Sequence, residues 1–278
     1  MIKPTKLNFG PSGIPRTTPE PSAFAGVKQV DKLGLEAMEL AFVHSVFLKE
    51  EKAQEIKKAN KNVLLTAHGS YYVNLNSIDK KIIGASRSRI IQAAKALSQA
   101  GGYSVCFHAA YYLKEEPRIV YNKVEEQLRK LRKELVNDSV EDIWIRPETT
   151  GKNSQFGTID EILKLSQDVE GVMPCVDFSH LHARSNGKEN TKAEFETTLE
   201  KIETTLGKEG LNNMHIHLSG IAYGEKGEKH HLNLKDSDMN YSELLKVLKE
   251  FKVKGALIAE SPNQEDDALM LQKLWGKI

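Results

Sequence analysis

Cysteine is scarce in this chain: 278 residues include two, Cys106 and Cys175, and both sit inside apolar runs. That placement suits buried free thiols in a reducing compartment. Long hydrophobic stretches are missing as well. No window approaches the roughly 20 apolar residues of a membrane span, and the opening Met1-Ile2-Lys3-Pro4-Thr5 lacks the apolar core of a signal peptide. An intracellular, cytoplasmic protein with no membrane partner is expected. An excess of one charge is absent too, since 39 Lys and Arg face 38 Asp and Glu for a formal net charge of +1. A nucleic-acid partner would therefore need a local basic rim rather than a global field. No low-complexity linker, composition break or internal repeat divides the chain, so residues 1–278 are expected to form a single domain.

What the chain does carry is an alternation, eight times over, of short β-type runs with longer helical patterns. The strand candidates are Lys6–Gly10, Ala37–Phe42, Val63–Gly69, Ser104–Ala109, Asp142–Glu148, Met173–Phe178, Met214–Gly220 and Ala256–Ser261. Each is rich in apolar side chains, as strands buried on both faces should be. Amphipathic helices are expected over Lys80–Ala100, Val124–Leu135, Ile159–Gln167, Lys192–Leu206, Tyr241–Phe251 and Asp266–Trp275. Thr158 and Ser242 stand where N-caps belong, and Gly34, Gly101-Gly102 and Gly207 where helices end. Strands alternating with helices imply a parallel sheet, and eight units imply an α/β fold closed into a (β/α)₈ TIM barrel. The competing arrangement is an open doubly wound sheet.

Six successive strand candidates end in a residue able to bind metal: His68, His108, Glu148, Asp177, His217 and Glu260. In a (β/α)₈ barrel the strand ends converge at one mouth, where active sites of the fold lie. Singly, each residue reads as structural. Together, the carboxylates would repel one another unless cations of charge two held them. Imidazole with carboxylate suits zinc, with manganese or iron as alternatives. Further donors follow strand six, in Asp177-Phe178-Ser179-His180-Leu181-His182-Ala183-Arg184, and strand seven, in a long loop from Gly220 to about Asn240 bearing Glu228-Lys229-His230-His231. His215 reads as a barrel-interior residue. Glu39 reads equally as an orienter of a ligand or as the partner of a buried Arg, and His44 as a rim residue. Tyr71-Tyr72 and Tyr111-Tyr112 lie just beyond two ligand-bearing strands, where aromatics either cap the barrel or stack on bases.

In this order the residues resemble the endonuclease IV family of apurinic/apyrimidinic endonucleases, closest to its archaeal-type branch, within the xylose-isomerase-like barrels. The match is carried by His68 with Ser70-Tyr71-Tyr72-Val73-Asn74-Leu75, by His108, by Glu148-Thr149-Thr150-Gly151 with Gln155-Phe156-Gly157, by Cys175-Val176-Asp177-Phe178-Ser179-His180, by His217-Leu218, by the Glu-Lys-His-His loop and by Glu260. The resemblance implies two or three zinc ions. Glu148 would bridge two of them, with His68 and His108 completing the first site and Asp177, His217 and Glu260 the second. His180 and two residues of the strand-seven loop would hold the third. The bacterial pattern has Asp-Arg-His-His in that loop. Aligning this chain on the acidic residue, Glu228, selects His230, whereas aligning on the downstream Leu232 selects His231, the choice favoured here. A second departure follows strand two, where Phe42-Val43-His44-Ser45-Val46-Phe47 replaces a run whose Arg enters the duplex.

The activity implied is hydrolysis of the phosphodiester 5′ to an abasic site in double-stranded DNA, as in base excision repair, leaving a 3′-hydroxyl and a 5′-deoxyribose phosphate. Glu148 and Glu260 would be catalytic. Tyr71, Tyr72, Arg184 and Lys229 would contact DNA, the cations without reading sequence, and a monomer is expected. The alternative is a metal-dependent sugar isomerase or epimerase of the same barrel group, which usually holds one or two metals mainly by carboxylates. A metal-bearing barrel that binds without cutting is the non-enzymatic reading.

Overall fold

The apolar runs of the sequence become eight short parallel strands in the computed structural model, which describes residues 1–278. They are β1 Leu7–Pro11, β2 Ala37–Ala41, β3 Leu64–His68, β4 Ser104–Phe107, β5 Trp144–Pro147, β6 Cys175–Asp177, β7 Met214–Leu218 and β8 Gly255–Ala259. Strands β2 to β5 pair in sequence order, and β6, β7, β8 and β1 form a second parallel set. Parallel bridges Ser12↔Glu39 and Glu148↔Cys175 join the two sets, with Gly13 N donating to Glu39 O at 2.8 Å and Thr149 N to Cys175 O at 3.0 Å. The sheet is thus closed, a TIM barrel rather than an open sheet.

Helices cover the outside: α1 Ala23–Lys32, α2 Glu50–Ala59, α3 Lys80–Gln99, α4 Pro117–Asn137, α5 Ile159–Asp168, α6 Lys192–Leu211, α7 Tyr241–Glu250 and α8 Glu265–Trp275. The sequence pattern does not mark α1 and α2, whose buried stripes are thin: Gly26, Val27 and Val30 in one, Ala53 and Ile56 in the other. Thr158 caps α5 in a reciprocal capping box with Glu161. Ser242 is not the cap of α7. Asn240 takes that role, its side chain accepting from Glu243 N at 3.3 Å. Gly207, at φ 68°, breaks α6 where the sequence pattern ends, but a further turn follows to Leu211. The loop expected after β7 is a β-hairpin, Gly220–Gly224 paired with Gly227–Leu232. A short helix, Phe178–Arg184, follows β6 directly.

Side chains alternate along each strand. Leu65, Val105, Ile145 and Ile216 pack outward beneath the helices, while Glu39, Thr66, Cys106, Arg146, His215 and His217 fill the barrel; all are buried. The interior is therefore polar, and its groups need partners. Arg146 finds four, donating to Pro174 O at 2.7 Å, Tyr103 Oη at 3.1 Å, Asn213 O at 2.7 Å and Asn213 Oδ1 at 3.0 Å. Both cysteines are free and buried. No helix is long and apolar enough to cross a membrane.

Candidate metal centre

Strand alternation brings Thr66 and His68 to the inner face of β3, and His215 and His217 to that of β7. His68, His108, Glu148, Asp177, His217 and Glu260 therefore meet at the C-terminal mouth, as the order of strands requires. Their donor atoms fall into adjoining groups, the atoms of each lying within 4.8 Å of one another. His68 and His108 face one oxygen of Glu148, with Nε2 to Oε2 distances of 3.3 and 3.5 Å. The other oxygen, Oε1, lies 3.1 Å from His217 Nδ1, and Glu260 Oε2 lies 3.3 Å from the same nitrogen. Glu148 thus belongs to two groups at once, the second completed by Asp177.

A third group is His180, Glu228 and His231. His180 Nε2 is 3.6 Å from Glu228 Oε2, and His231 Nε2 is 4.0 Å from Glu228 Oε1. Backbone geometry places His231, rather than His230, beside Glu228. In the hairpin Ile221 pairs with His231 and Ala222 with His230, but Tyr223 pairs with Glu228, so Lys229 is an extra residue in a β-bulge. The bulge turns Glu228 onto the face of His231, three residues away, where a regular strand would place it beside His230. His230 points outward and is exposed. Two glycines let the hairpin approach. A Cβ on Gly151 would lie 2.7 Å from Glu228 Cβ and 3.0 Å from His180 Cδ2, and Gly227 sits at φ +91° against Gly151 O.

Four of the five imidazoles are held by their other nitrogen. His68 Nδ1 faces Gly69 O at 2.8 Å, His180 Nδ1 faces Thr149 O at 3.0 Å and His231 Nδ1 faces Glu260 O at 3.1 Å. A carbonyl can only accept, so these nitrogens carry a proton and, in the neutral tautomer that binds a metal, the opposite lone pairs face the mouth. His217 is held in reverse, its Nε2 on the Glu39 carboxylate at 3.2 Å. Glu39 also meets His215 Nε2 at 3.1 Å, and His215 Nδ1 meets Ser104 Oγ at 3.0 Å. Glu39 thus meets two imidazoles, with no Arg beside it. A carboxylate behind a ligating histidine is the usual outer support of a metal site.

The donor set fits divalent cations. Glu148 Oε2 and Asp177 Oδ2 are buried without a hydrogen bond, a costly arrangement unless a cation meets them. Asp177 spends its other oxygen on the helix cap, accepting from His180 N at 2.8 Å. Burial, with the nearby Glu260 and Glu148 charges, pushes the Asp177 carboxyl above its usual range. Protons take the place of cations when the chain is metal-free. Burial opposes the charge on His68, yet Glu148, Glu39 and Glu260 outweigh it and raise its pKa to about 9. A raised pKa stabilises the fold fully below the ordinary 6.5 and loses that contribution as pH climbs through about 9. The chelator-treated protein is accordingly expected to melt at lower temperature at pH 9 than at pH 6.5, and the zinc-loaded protein not to share that fall. Thermal melts at both pH values check this.

Around the mouth, Tyr71 and Tyr72 are 60% and 58% exposed. His44 sits between them on the rim, its ring 6.1 and 6.2 Å from theirs, and the Arg89 guanidinium lies over Tyr72 at 5.7 Å. Phe47, 83% exposed, projects from the loop after β2 and was not singled out by the sequence. Lys229 is exposed at the bulge. Arg184 departs from expectation. Its Nη1 is surrounded by Lys152 O at 2.7 Å, Gln155 O and Thr150 Oγ1 at 3.0 Å and Thr150 O at 3.3 Å, so it pins the loop after β5 instead of facing an open rim. A cavity of about 1130 Å³ lies at the opposite end of the barrel among Lys3, Arg132, Trp144 and Lys254, and no histidine lines it.

Comparison with known proteins agrees with the barrel. A family model described as xylose isomerase-like TIM barrel matches residues 27–275. The chain is 41% identical over 278 residues to the uncharacterized protein MJ0133 of Methanocaldococcus jannaschii, covering 100% of both. It is 27% identical over 188 residues to a probable endonuclease 4 of Buchnera aphidicola, covering 64% of each chain. Among solved structures, endonuclease IV from Thermus thermophilus superposes with a TM-score of 0.71 at 16% identity over 98% of both chains. A D-tagatose 3-epimerase-like protein gives 0.74 at 16% identity, covering 97% of this chain and 96% of that one. Likeness at such identity speaks for the fold alone, and it is shared by nuclease and epimerases. The chain belongs to the xylose isomerase-like TIM barrel family.

Proposed function

We propose that this chain, acting as a one-domain monomer over residues 1–278, is a metal-dependent endonuclease that cuts double-stranded DNA 5′ to abasic sites. The observation that carries the reading is the third donor group. An epimerase needs a metal and a base beside a sugar carbonyl, and has no evident use for His180, Glu228 and His231 presented by a bulged hairpin beyond two groups already sharing Glu148. Similarity to the Buchnera aphidicola probable endonuclease 4 supports it. The epimerase reading keeps one observation in its favour, the equal likeness of fold.

When bound, two or three ions, zinc by the imidazole-rich donor set, would activate water and neutralise charge on the phosphodiester. His68, His108 and Glu148 would hold the first, Glu148, Asp177, His217 and Glu260 the second, and His180, Glu228 and His231 the third. Glu148 offers its oxygens to opposite sides and so sets the separation of the first two groups. In the metal-free chain burial works against ionised Glu260, but the His217 charge and hydrogen bond hold its pKa at about 2. With an ion in place of that proton, Glu260 would still be a carboxylate at neutral pH, able to orient the attacking water and accept its proton. Lys229 would contact phosphate without reading sequence. Tyr71 and Tyr72 would stack where a missing base leaves a gap, and the absence of a pairing partner makes the lesion the easiest place to open.

Tyr71→Ala or Tyr72→Ala is expected to weaken binding to an abasic duplex by about 1–3 kcal/mol, roughly five- to 150-fold, with metal content unchanged. Fluorescence anisotropy with labelled duplexes checks this. Equal affinity of both variants and wild type would remove the tyrosines from the interface. The reading itself is tested by assaying one zinc-loaded preparation for lesion-specific incision and for ketohexose C3 epimerisation. Incision without epimerisation supports the nuclease, and the reverse supports the epimerase.

A further inference from the structure

The helix that carries His180 bears a second buried histidine with no place in the three donor groups. His182 Nε2 lies 3.1 Å from Asp238 Oδ1, and the other Asp238 oxygen accepts the Tyr223 hydroxyl at 2.6 Å. The His182 and Tyr223 rings also meet edge to face, with centroids 4.9 Å apart. Asn190 donates to Asp238 O at 2.7 Å, and Asn240 N donates to Asn190 Oδ1 at 2.7 Å, which fixes the segment that presents the carboxylate.

One carboxylate thus ties three separate pieces of chain together. His182 belongs to the helix Phe178–Arg184, whose His180 is one member of the third group. Tyr223 belongs to the hairpin and is the cross-strand partner of Glu228, directly at the bulge that aims Glu228 and His231. A cross-strand pair shares a face of the ribbon, so Tyr223 and Glu228 both descend on the short helix. Nothing in the β-ladder itself fixes how far the hairpin stands from that helix. The hairpin pairs with the rest of the chain at its tip, where Lys152 bridges Gly227 and Glu228 N donates to Gly151 O at 2.9 Å.

We propose that His182, Asp238 and Tyr223 form a clamp that sets the third metal group, acting as positioning residues that govern the affinity of one ion without touching it. The inference rests on His180, Glu228 and His231 being a metal site. With the clamp closed, the His180 nitrogen and the Glu228 oxygens converge. With it open, the hairpin gains freedom and the third ion is held by donors from two elements that move independently, while the groups sharing Glu148 keep their geometry on the barrel strands.

The experiment is a chelator titration of zinc-loaded wild type, Tyr223→Phe, Asp238→Asn and Asp238→Ala, with zinc per chain measured by mass spectrometry and melting temperature followed in parallel. Tyr223→Phe removes one oxygen, and the Asp238 side chain is 57% exposed, so the variants should fold. Expected is a loss of about tenfold in affinity for one ion of three in Asp238→Ala, within the range for outer supports of metal ligands. Asp238→Asn, which keeps one hydrogen bond, should lie between, and the double variant Tyr223→Phe with Asp238→Ala should be no worse than Asp238→Ala alone, because both act through the same carboxylate. A third ion held as tightly in Asp238→Ala as in wild type overturns the clamp, and so does equal weakening of all three ions. A wild-type chain that holds no ion sensitive to His180→Ala overturns instead the reading of the third group, and the clamp with it.

Discussion

Glu148→Ala is expected to leave a folded barrel that holds fewer metal ions and no longer cuts DNA. Glu148 is fully buried and is shared by the groups proposed to hold the first and second ions, so its removal strips a ligand from each. Metal stabilisation of the reacting phosphate is worth several kcal/mol, and each 1.4 kcal/mol is a factor of ten, so a fall of at least roughly 1000-fold in turnover should follow. The fold should survive, because the strand hydrogen bonds here are made by backbone atoms, Glu148 N to Phe107 O at 3.0 Å among them. Removing the carboxylate also takes from His68, His108 and His217 the charge they face, so the metal-free variant should melt somewhat lower than the metal-free wild type but still in one cooperative transition. Zinc content and incision rate measured on one preparation decide it. Wild-type turnover by Glu148→Ala would remove the shared-ligand arrangement from the mechanism.

The second large effect is expected at Glu39, which touches none of the reacting atoms in the proposed mechanism. Its carboxylate holds His217 Nε2 and His215 Nε2 and accepts from Thr66 Oγ1 at 3.2 Å. Burial would raise its pKa, but the His217 charge and the hydrogen bonds of both histidines hold it well below the usual range, so it remains ionised. Glu39→Leu should free the His217 ring to turn and cost about 10–100-fold in metal affinity or activity, as loss of such outer partners does. Glu39→Gln keeps an acceptor for His217 and should recover part of the loss. A structural role alone would lower melting temperature in both variants without this split, so zinc affinity is the readout that separates the two.

Much of this was legible in the sequence because barrel strands are buried on both faces and read as apolar runs, and the candidate ligands are the residues at which those runs stop. His68, His108, Glu148, Asp177, His217 and Glu260 could be placed at one mouth on that basis. The parts that escaped depend on geometry without a periodic trace. Gly227–Leu232 is charged and polar and carries no alternation, so the hairpin read as a loop. The bulge at Lys229 is a matter of backbone register, which is why His230 and His231 could not be separated before it was seen. Arg184 lies in a run that points to the mouth, but its reach lets it fold back onto the carbonyls of Thr150, Lys152 and Gln155. Glu39 was ambiguous for a similar reason, because an inward carboxylate on β2 can meet whichever inward cation or imidazole stands opposite, and the Arg at hand, Arg146, is occupied by oxygens lower in the barrel. Asn240, not Ser242, starts α7 because an amide two residues earlier reaches the free N–H groups first.

The most direct test of the proposed function uses the zinc-loaded protein and a 5′-labelled duplex carrying one abasic-site analogue, beside the same duplex undamaged. One cut immediately 5′ to the lesion, leaving an extendable 3′-hydroxyl, is expected, with none in the undamaged strand and none by His108→Ala. An intact lesion strand, with zinc confirmed on the wild-type protein, would contradict the assignment and direct attention to sugar substrates.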